Sequence, residues 1–457
     1  MSATNPRPQN MRAFLVIWFG ELISMLGSGL TSFALGVWIY EQTGKATPFA
    51  LTVLFGSLPA ILLAPVAGPV VDRYNRKLVM ILADTGAALV TLAAVILLMM
   101  NALNLWSVYL IALFGSVFAA FQEPAYQASV TMLVPKKDLT RASGLSQTGQ
   151  ALQSLVSPAL AGVLYLSIGL KGVIFIDFAT YFFAVGALLI TRIPQPAAGA
   201  SGESGQKTSM LKEAIFGWNF LRVRRGLFSL LIYFALVNFL MNLSAVLISP
   251  LVLSFGDAGT LGVVETVSGV GMLLGSLLLS AWGGPKKRLP AIVGFISLSS
   301  VGLLLMGVRP SALLVSSGFF LLMFNLPLSS GTSQVIFQNK VTPEIQGRVF
   351  AIRSMISRSM MPLAFLLAGP LADQIFEPAM RSGGWLAVTA AGEWLGTGAG
   401  RGIGVIFILS GMILLLVSLA AYLYPPLRHL ERDLPDCLPE AEDPAGVPAN
   451  IQEAALP

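Results

Sequence analysis

Six acidic side chains stand within or close to apolar stretches that are long enough to cross a bilayer. Glu21, Asp84, Glu123, Asp177 and Glu265 fall inside such stretches, and Asp373 lies near the end of another. An ionisable residue inside a membrane span indicates a functional site. Burial and a nearby second carboxylate both favour the protonated form of a carboxyl group. Such a residue can therefore take up a proton on one side of a membrane and release it on the other.

Glu21 and Glu123 are the predicted proton-coupling carboxylates. Glu21 lies about seven residues from one end of the first span, and Glu123 about eleven from the end of the fourth, at about 1.5 Å per residue. Pro124 beside Glu123 removes a backbone hydrogen bond and bends the helix there. Arg358, about ten residues deep in the eleventh span, would hold a cavity carboxylate ionised between proton cycles. The alternative is that each carboxyl group is only hydrogen-bonded to a glutamine neighbour such as Gln122.

Three further carboxylates are predicted to be structural. Asp84 lies near the start of the third span, where pairing with a loop cation is expected. Asp177 and Glu265 lie nearer the other surface, and we expect both to accept hydrogen bonds from neighbouring helices. Arg353 is expected to extend its guanidinium to the membrane surface.

A charged turn at residues 68–77 reads GPVVDRYNRK and separates the second span from the third. Gly68 would let two helices approach closely, and Asp72 would face the partly positive N-terminus of a neighbouring helix. The accompanying cations are Arg73, Arg76 and Lys77. Contacts that exist in only one of two conformations bias the protein towards that conformation. The alternative is a turn whose cations only fix the orientation in the membrane.

The elements that position these residues are membrane helices. Of the 457 residues, 55% are hydrophobic and 11% are charged, against about 25% charged in soluble domains. Hydropathy predicts an all-α polytopic membrane protein with twelve spans. They lie at about 14–39, 47–71, 78–100, 105–134, 142–167, 172–193, 227–254, 259–282, 289–308, 311–338, 349–376 and 402–424.

The distribution of charge predicts the orientation. Most of the 28 lysines and arginines fall on one side of the predicted membrane, which places both termini in the cytoplasm and explains the net charge of +6 without a nucleic acid. The chain has one cysteine, Cys437, and one histidine, His429. Neither an intrachain disulfide nor a Cys/His metal site is expected. The sequence has no phosphate-binding loop and no enzyme motif, so we expect a non-enzyme without a cofactor or metal.

A polar segment at 194–226 divides the sequence into two halves. The predicted organisation is a six-helix bundle at 1–193, a linker with an amphipathic helix at 194–226, a second bundle at 227–424 and a disordered tail at 425–457. An offset of 207 residues superposes identical residues in equivalent loops, including Arg141 on Arg348. Parallel six-helix repeats of this kind are typical of one class of transporter.

With these features the chain resembles the major facilitator superfamily over about residues 11–424. The charged turn matches the signature G-x-x-x-D-R-x-G-R-[RK] of that superfamily, with Asn75 where glycine is usual. Asparagine tolerates the left-handed conformation that such a turn would need. The resemblance implies twelve helices as two six-helix pseudo-repeats around a central cavity, lined in part by the first and fourth helices. It also implies that Asp72 faces the start of the eleventh helix, near Arg348.

Other segments resemble the macrolide-efflux type of drug–proton antiporter. They are IWFGELISMLGSGLTSFALGVWIYEQTG in the first span, FQEPAYQASVTMLVPKKDLTRASGL in the fourth and fifth, LAGPLAD in the eleventh and GTGAGRGIGVIFILSGM entering the twelfth. The resemblance implies export of amphipathic compounds by proton antiport and alternating access. The same type also resembles exporters of siderophores and other metabolites.

Polar amides are expected to line the path of a small-molecule substrate. They are Gln122, Gln150, Gln153, Asn238, Asn242 and Asn325. The expected function is therefore a monomeric drug or macrolide exporter of the cell membrane, with protons and the lipid bilayer as its other partners. One alternative is a dedicated exporter of an endogenous siderophore, peptide or lipid. A second is a membrane sensor or assembly partner that transports nothing, against which the intact charged turn argues.

Overall fold

The computed structural model describes residues 11–135, 138–193, 218–341 and 343–434, and for eight of these residues, Asp72 and Arg348 included, it describes the backbone alone. Within these residues, eleven helices are long and apolar enough to cross a membrane. In the N-terminal half they are α1 (Met11–Thr43), α2 (Ala46–Arg73), α3 (Arg76–Met99), α4 (Leu105–Leu133) and α5 (Leu139–Ile190). In the C-terminal half they are α6 (Arg225–Leu253), α7 (Ala258–Trp282), α8 (Arg288–Val308), α9 (Ala312–Lys340), α10 (Pro343–Pro370) and α13 (Arg401–Leu423).

Shorter elements complete the C-terminal half. A π-helical turn, Leu371–Phe376, follows α10 and leads into α11 (Glu377–Met380). The other short helices are α12 (Ala390–Leu395), α14 (Pro425–Arg428) and α15 (Leu430–Asp433).

The long helix α5 contains the fifth and sixth predicted spans. Gly169 interrupts it with φ 68° and ψ 179°, a conformation that is essentially restricted to glycine. A straight helix of 52 residues would be about 78 Å long, far more than the roughly 30 Å of a bilayer core. The chain therefore reverses at Gly169, and the twelve predicted crossings correspond to eleven helices.

Each half is a bundle, and the two halves also pack on each other. In the N-terminal half α1 packs along α5, while α2 and α3 pack on α4. In the C-terminal half α9 packs on α7 and α8, α13 on α8, and α10 on α6. Between the halves, α5 packs on α7 and α2 packs on α10. We call the end that carries Arg73, Arg76 and Lys77 the basic end, and the end that carries Thr47 and Asp373 the opposite end.

The structure corrects the expected role of Asn75. Its φ is −62°, so it is extended rather than left-handed, and its side chain accepts a hydrogen bond from the Leu78 backbone N–H at the start of α3. Asparagine is a favoured N-cap because its side-chain oxygen satisfies a free helix N–H. The turn therefore uses Asn75 to begin α3 and does not need a glycine there.

The structure also differs from the predicted disordered tail over residues 425–434. Leu427 and Leu430 are buried, and the segment packs against the start of α6. The Lys340 Nζ donates a hydrogen bond of 2.8 Å to the Glu431 carbonyl, and Glu431 Oε1 accepts 3.0 Å from the Arg288 backbone N–H. Apolar burial and these bonds to α8 and α9 order the segment. The rest of the predicted tail, 435–457, and the linker segment 194–217 lie outside the described residues.

Candidate functional site

A cavity of about 820 Å³ lies between α1, α4 and the first half of α5. Thr131 and Leu139 line it where α4 ends and α5 begins, so the cavity extends towards the basic end. Its volume falls in the range of about 300–1,000 Å³ that is typical of small-molecule sites. Trp18, Met25 and Tyr126 give this wall apolar and aromatic surface.

Three of the six predicted cavity amides lie in this lining. Gln122, Gln150 and Gln153 line the cavity, and the Gln153 amide donates a hydrogen bond of 2.9 Å to the Met25 carbonyl. The other three amides lie in the C-terminal half and do not line it. Each donates a 2.7 Å hydrogen bond to the carbonyl four residues earlier in its own helix; they are Asn238, Asn242 and Asn325.

Sequence reasoning missed two aromatic residues of this cavity. The Trp18 indole N–H donates a hydrogen bond of 2.9 Å to the Leu145 carbonyl, which joins α1 to α5. The Tyr126 hydroxyl lies 3.2 Å from the Ser146 hydroxyl. The spacing could have predicted Trp18 as a lining residue, because it lies three residues before Glu21 and therefore on the same helix face.

The two predicted proton-coupling glutamates have different surroundings. Glu123 is exposed in the cavity, and its Oε1 accepts a hydrogen bond of 3.1 Å from Gln127. Glu21 is only 6% exposed, and its Oε2 accepts a hydrogen bond of 2.7 Å from the Gln122 amide. Glu21 Oε1 is buried and has no hydrogen-bond partner among the described residues. Of the two, only Glu21 combines burial with an unsatisfied carboxylate oxygen.

A second, narrower cavity of about 160 Å³ lies behind Glu21. Its wall carries three carboxylates on three elements: Glu21 on α1, Asp84 on α3 and Asp177 on the second half of α5. Asp84 Oδ2 is buried without a hydrogen-bond partner in the described part of the chain. The expected pairing of Asp84 with a loop cation is therefore wrong, because the side chain faces Glu21 across the cavity and not the charged turn.

The other buried carboxylates accept hydrogen bonds as expected. Asp177 accepts from the hydroxyls of Ser28 at 3.3 Å and Thr91 at 3.4 Å. Glu265, on α7, accepts from the Ser249 hydroxyl at 3.4 Å. Asp177 reaches α1 because Gly27 has no side chain: a Cβ there would lie 2.9 Å from Asp177 Oδ1.

Two cations of the charged turn, Arg76 and Lys77, donate hydrogen bonds to backbone carbonyls of the N-terminal half. The Arg76 guanidinium donates a hydrogen bond of 2.8 Å to the Ala128 carbonyl on α4. The Lys77 Nζ donates to the Thr191 carbonyl at 2.9 Å, beyond the C-terminus of α5. Arg73 is exposed, and a Cβ on Gly68 would meet no atom within 4 Å. The close helix contact predicted for Gly68 is absent from the described part of this conformation, and the side chains of Asp72 and Arg348 lie outside it.

At the opposite end the two halves meet through Asp373. Its Oδ1 accepts a hydrogen bond of 2.9 Å from the Ala46 backbone N–H, and its Oδ2 accepts 2.7 Å from that of Thr47. Lys45, the residue before α2, provides no side-chain cap. Gly369 permits this approach, because a Cβ there would lie 2.5 Å from the Thr47 Cα. Asp373 therefore caps α2 from the other half of the molecule.

The two arginines of α10 do not have the expected surroundings. The Arg353 guanidinium donates to the Gln334 side-chain oxygen at 2.8 Å and to the Ser333 hydroxyl at 3.2 Å, and it lies 4.8 Å from the Phe337 ring centre. Packing on α9 thus replaces the predicted extension to the surface. Arg358 is exposed and contacts no carboxylate in the described residues.

Two six-crossing helical halves that pack on each other, with a polar cavity in the N-terminal half, are the architecture of a membrane transporter. Residues 17–365 match the Major Facilitator Superfamily. The chain belongs to this superfamily.

Its relatives include efflux proteins. The chain is 32% identical over 375 residues to macrolide efflux protein A of Streptococcus pyogenes, covering 79% of this chain and 90% of that protein. It is 22% identical over 365 residues to the multidrug efflux pump Tap of Mycolicibacterium fortuitum, covering 79% and 89%. A bacterial homologue of the human lysosomal transporter Spinster, in an inward-facing and unoccupied conformation, shares the fold with a TM-score of 0.66 and 16% identity over 94% of this chain and 99% of that one.

Proposed function

We propose that the protein exports amphipathic, largely apolar compounds in exchange for protons by alternating access. The observation that carries this proposal is the buried, incompletely hydrogen-bonded Glu21 in the wall of a substrate-sized cavity. The 32% identity to a macrolide efflux protein supports an exported drug as the substrate class. Trp18, Met25 and Tyr126 supply apolar contact, while the glutamines supply hydrogen bonds.

Alternating access has support from the asymmetry of the two ends. The large cavity extends to the basic end, whereas Asp373 joins the two halves at the opposite end. The positive-inside rule assigns the basic end to the cytoplasm of the cell. In this arrangement a cytoplasmic compound enters the cavity, and separation of Asp373 from α2 accompanies opening to the outside.

For an uncharged substrate, exchange for one proton supplies enough energy for useful export. One charge crossing about 100 mV supplies about 2.3 kcal/mol. At about 1.4 kcal/mol per decade, this corresponds to roughly 1.7 decades of substrate gradient.

Transport into proteoliposomes tests the proposal. The purified protein is reconstituted with an acidic lumen, and accumulation of a labelled macrolide is followed, with protein-free liposomes as the control. Accumulation that collapses when an ionophore dissipates the pH gradient is expected. Accumulation that does not depend on the pH gradient would contradict proton antiport. Absence of transport for macrolides and cationic dyes, with transport of a siderophore, would favour a dedicated metabolite exporter.

A further inference from the structure

The narrow cavity behind Glu21 is lined by three carboxylates. Its wall brings together Glu21, Asp84 and Asp177, and among the described residues no lysine or arginine lines it. The remaining polar groups of the lining are neutral: the Gln122 and Gln153 amides, the hydroxyls of Ser24, Ser28 and Thr91, and Tyr181, whose hydroxyl lies 2.9 Å from that of Thr85. Adjacent carboxylates without a compensating cation cannot all be ionised at low cost.

Two oxygen atoms in this cavity lack the donors that buried acceptors require. Glu21 Oε1 and Asp84 Oδ2 are buried, and neither has a hydrogen-bond partner in the described residues. A buried acceptor left without a donor carries a desolvation cost of about 1–3 kcal/mol, and more when it is charged. A proton held on one carboxyl group removes this deficit, because its O–H can donate to the other carboxylate.

A proton fits this site better than a metal ion does. Within the described residues, no three acidic, histidine or cysteine side chains are close enough together to hold a metal ion. A shared proton needs only two carboxyl groups, and Glu21 and Asp84 supply them from two helices. Asp177 lines the same cavity and already accepts hydrogen bonds from two hydroxyls.

We propose that the narrow cavity is the proton site of this transporter, where Glu21 and Asp84 share one exchangeable proton. The proposal rests on the proton antiport proposed above and names the residues that perform it. Asp84 thereby gains a role in proton binding, and Glu123 is not required for it.

Gln122 provides the link to the substrate. Its amide lines both cavities and donates to Glu21 Oε2, which stabilises the ionised form of Glu21. A substrate that brings a positive charge or a hydrogen-bond donor to this wall stabilises the same form. Binding then breaks the carboxyl O–H bond and releases the proton to water, and by linkage protonation weakens substrate binding.

The test is proton release from the purified, detergent-solubilised protein on addition of a cationic macrolide, followed with a pH indicator in weak buffer. Wild-type protein is compared with Glu21→Gln and Asp84→Asn. The matched control is Glu265→Gln, a buried glutamate of the other half that lines neither cavity. Ligand binding is measured separately by equilibrium dialysis.

We expect release in the wild type and in Glu265→Gln, and loss of most of the release in both cavity variants while they still bind the ligand. Undiminished release from Asp84→Asn would overturn the shared-proton site but leave antiport standing. Ligand binding by the wild type with no release at any pH would instead overturn the proposed antiport itself.

A measurement on the wild type covers the case in which a variant does not fold. Difference infrared spectroscopy detects the C=O band of a buried protonated carboxyl group. Loss of such a band on ligand addition is expected, and it should fail to occur when Glu21 and Asp84 have been modified by a carbodiimide at low pH. A ligand-sensitive band that survives this modification would place the proton elsewhere.

Discussion

The carboxylate of Asp373 accepts a hydrogen bond of 2.7 Å from the backbone N–H of Thr47, so a residue after α10 caps the first turn of α2. The second oxygen of Asp373 accepts from Ala46 at 2.9 Å. A helix N-terminus carries partial positive charge and free N–H groups. Since α2 has no cap of its own, this contact between halves satisfies a local need of the helix. In the alternating access proposed above, it contributes energy only while the opposite end is closed.

We predict that Asp373→Ala will shift the protein towards the conformation that is open at the opposite end. Loss of an N-cap costs about 0.5–2 kcal/mol, which changes the ratio of two conformations by about 2-fold to 30-fold. Spin labels at cysteines replacing the exposed Lys45 and Arg381, in a background without Cys437, would report the change as a larger fraction of long distances.

Two controls define this measurement. Asp373→Asn retains one acceptor oxygen and should have a smaller effect than Asp373→Ala. Glu393→Gln removes an exposed carboxylate in α12 and should leave the distances unchanged. Equal distance distributions for the wild type and Asp373→Ala would show that the contact does not bias the conformation.

The sequence predicted the membrane crossings much better than it predicted which residues each side chain contacts. Hydropathy depends on local composition, so the predicted spans agree with the helices to within a few residues, and Gly169 explains why two of them share one helix. The position of Asp84 along α3 was also predicted well. The side chain that it faces, Glu21, was not predicted, because the rotation of α3 relative to α1 depends on packing. Asp373 was placed near the end of the eleventh span, but the π-helical turn that directs it at α2 has no simple sequence signal.

We predict that Asp72→Asn will slow transport and leave substrate binding largely intact. In the described part of the chain no residue of α2 lines either cavity, and Asp72 is expected to act by stabilising a conformation closed at the basic end. Initial transport rates in proteoliposomes and ligand dissociation constants in detergent separate the two effects. Asp138→Asn, at the same end and without a side-chain cap bond, is the matched control. Weakened binding with an unchanged transport rate would contradict a gating role.

We predict that Leu430→Ala will destabilise the protein by about 2–5 kcal/mol, the usual cost of truncating a buried leucine. Leu430 is 1% exposed although it lies in a segment expected to be disordered. Leu423→Ala is the control, because that side chain is 60% exposed at the end of α13. Thermal unfolding in detergent should show a lower midpoint for Leu430→Ala alone. Equal midpoints for the two variants would mean that the C-terminal segment adds no stability.

We predict that Glu123→Gln will weaken the binding of cationic amphipathic compounds several-fold and leave neutral ones almost unaffected. Glu123 is exposed in the large cavity, where its charge attracts a bound cation, whereas the proposed proton site lies behind Glu21. Dissociation constants for a charged and an uncharged ligand of similar size provide the comparison within one variant. Proton release per bound ligand should stay close to that of the wild type, because the exchangeable proton is not on Glu123. If this variant binds both ligands normally but releases no proton, the coupling carboxylate is Glu123, and the roles of the two glutamates must be exchanged.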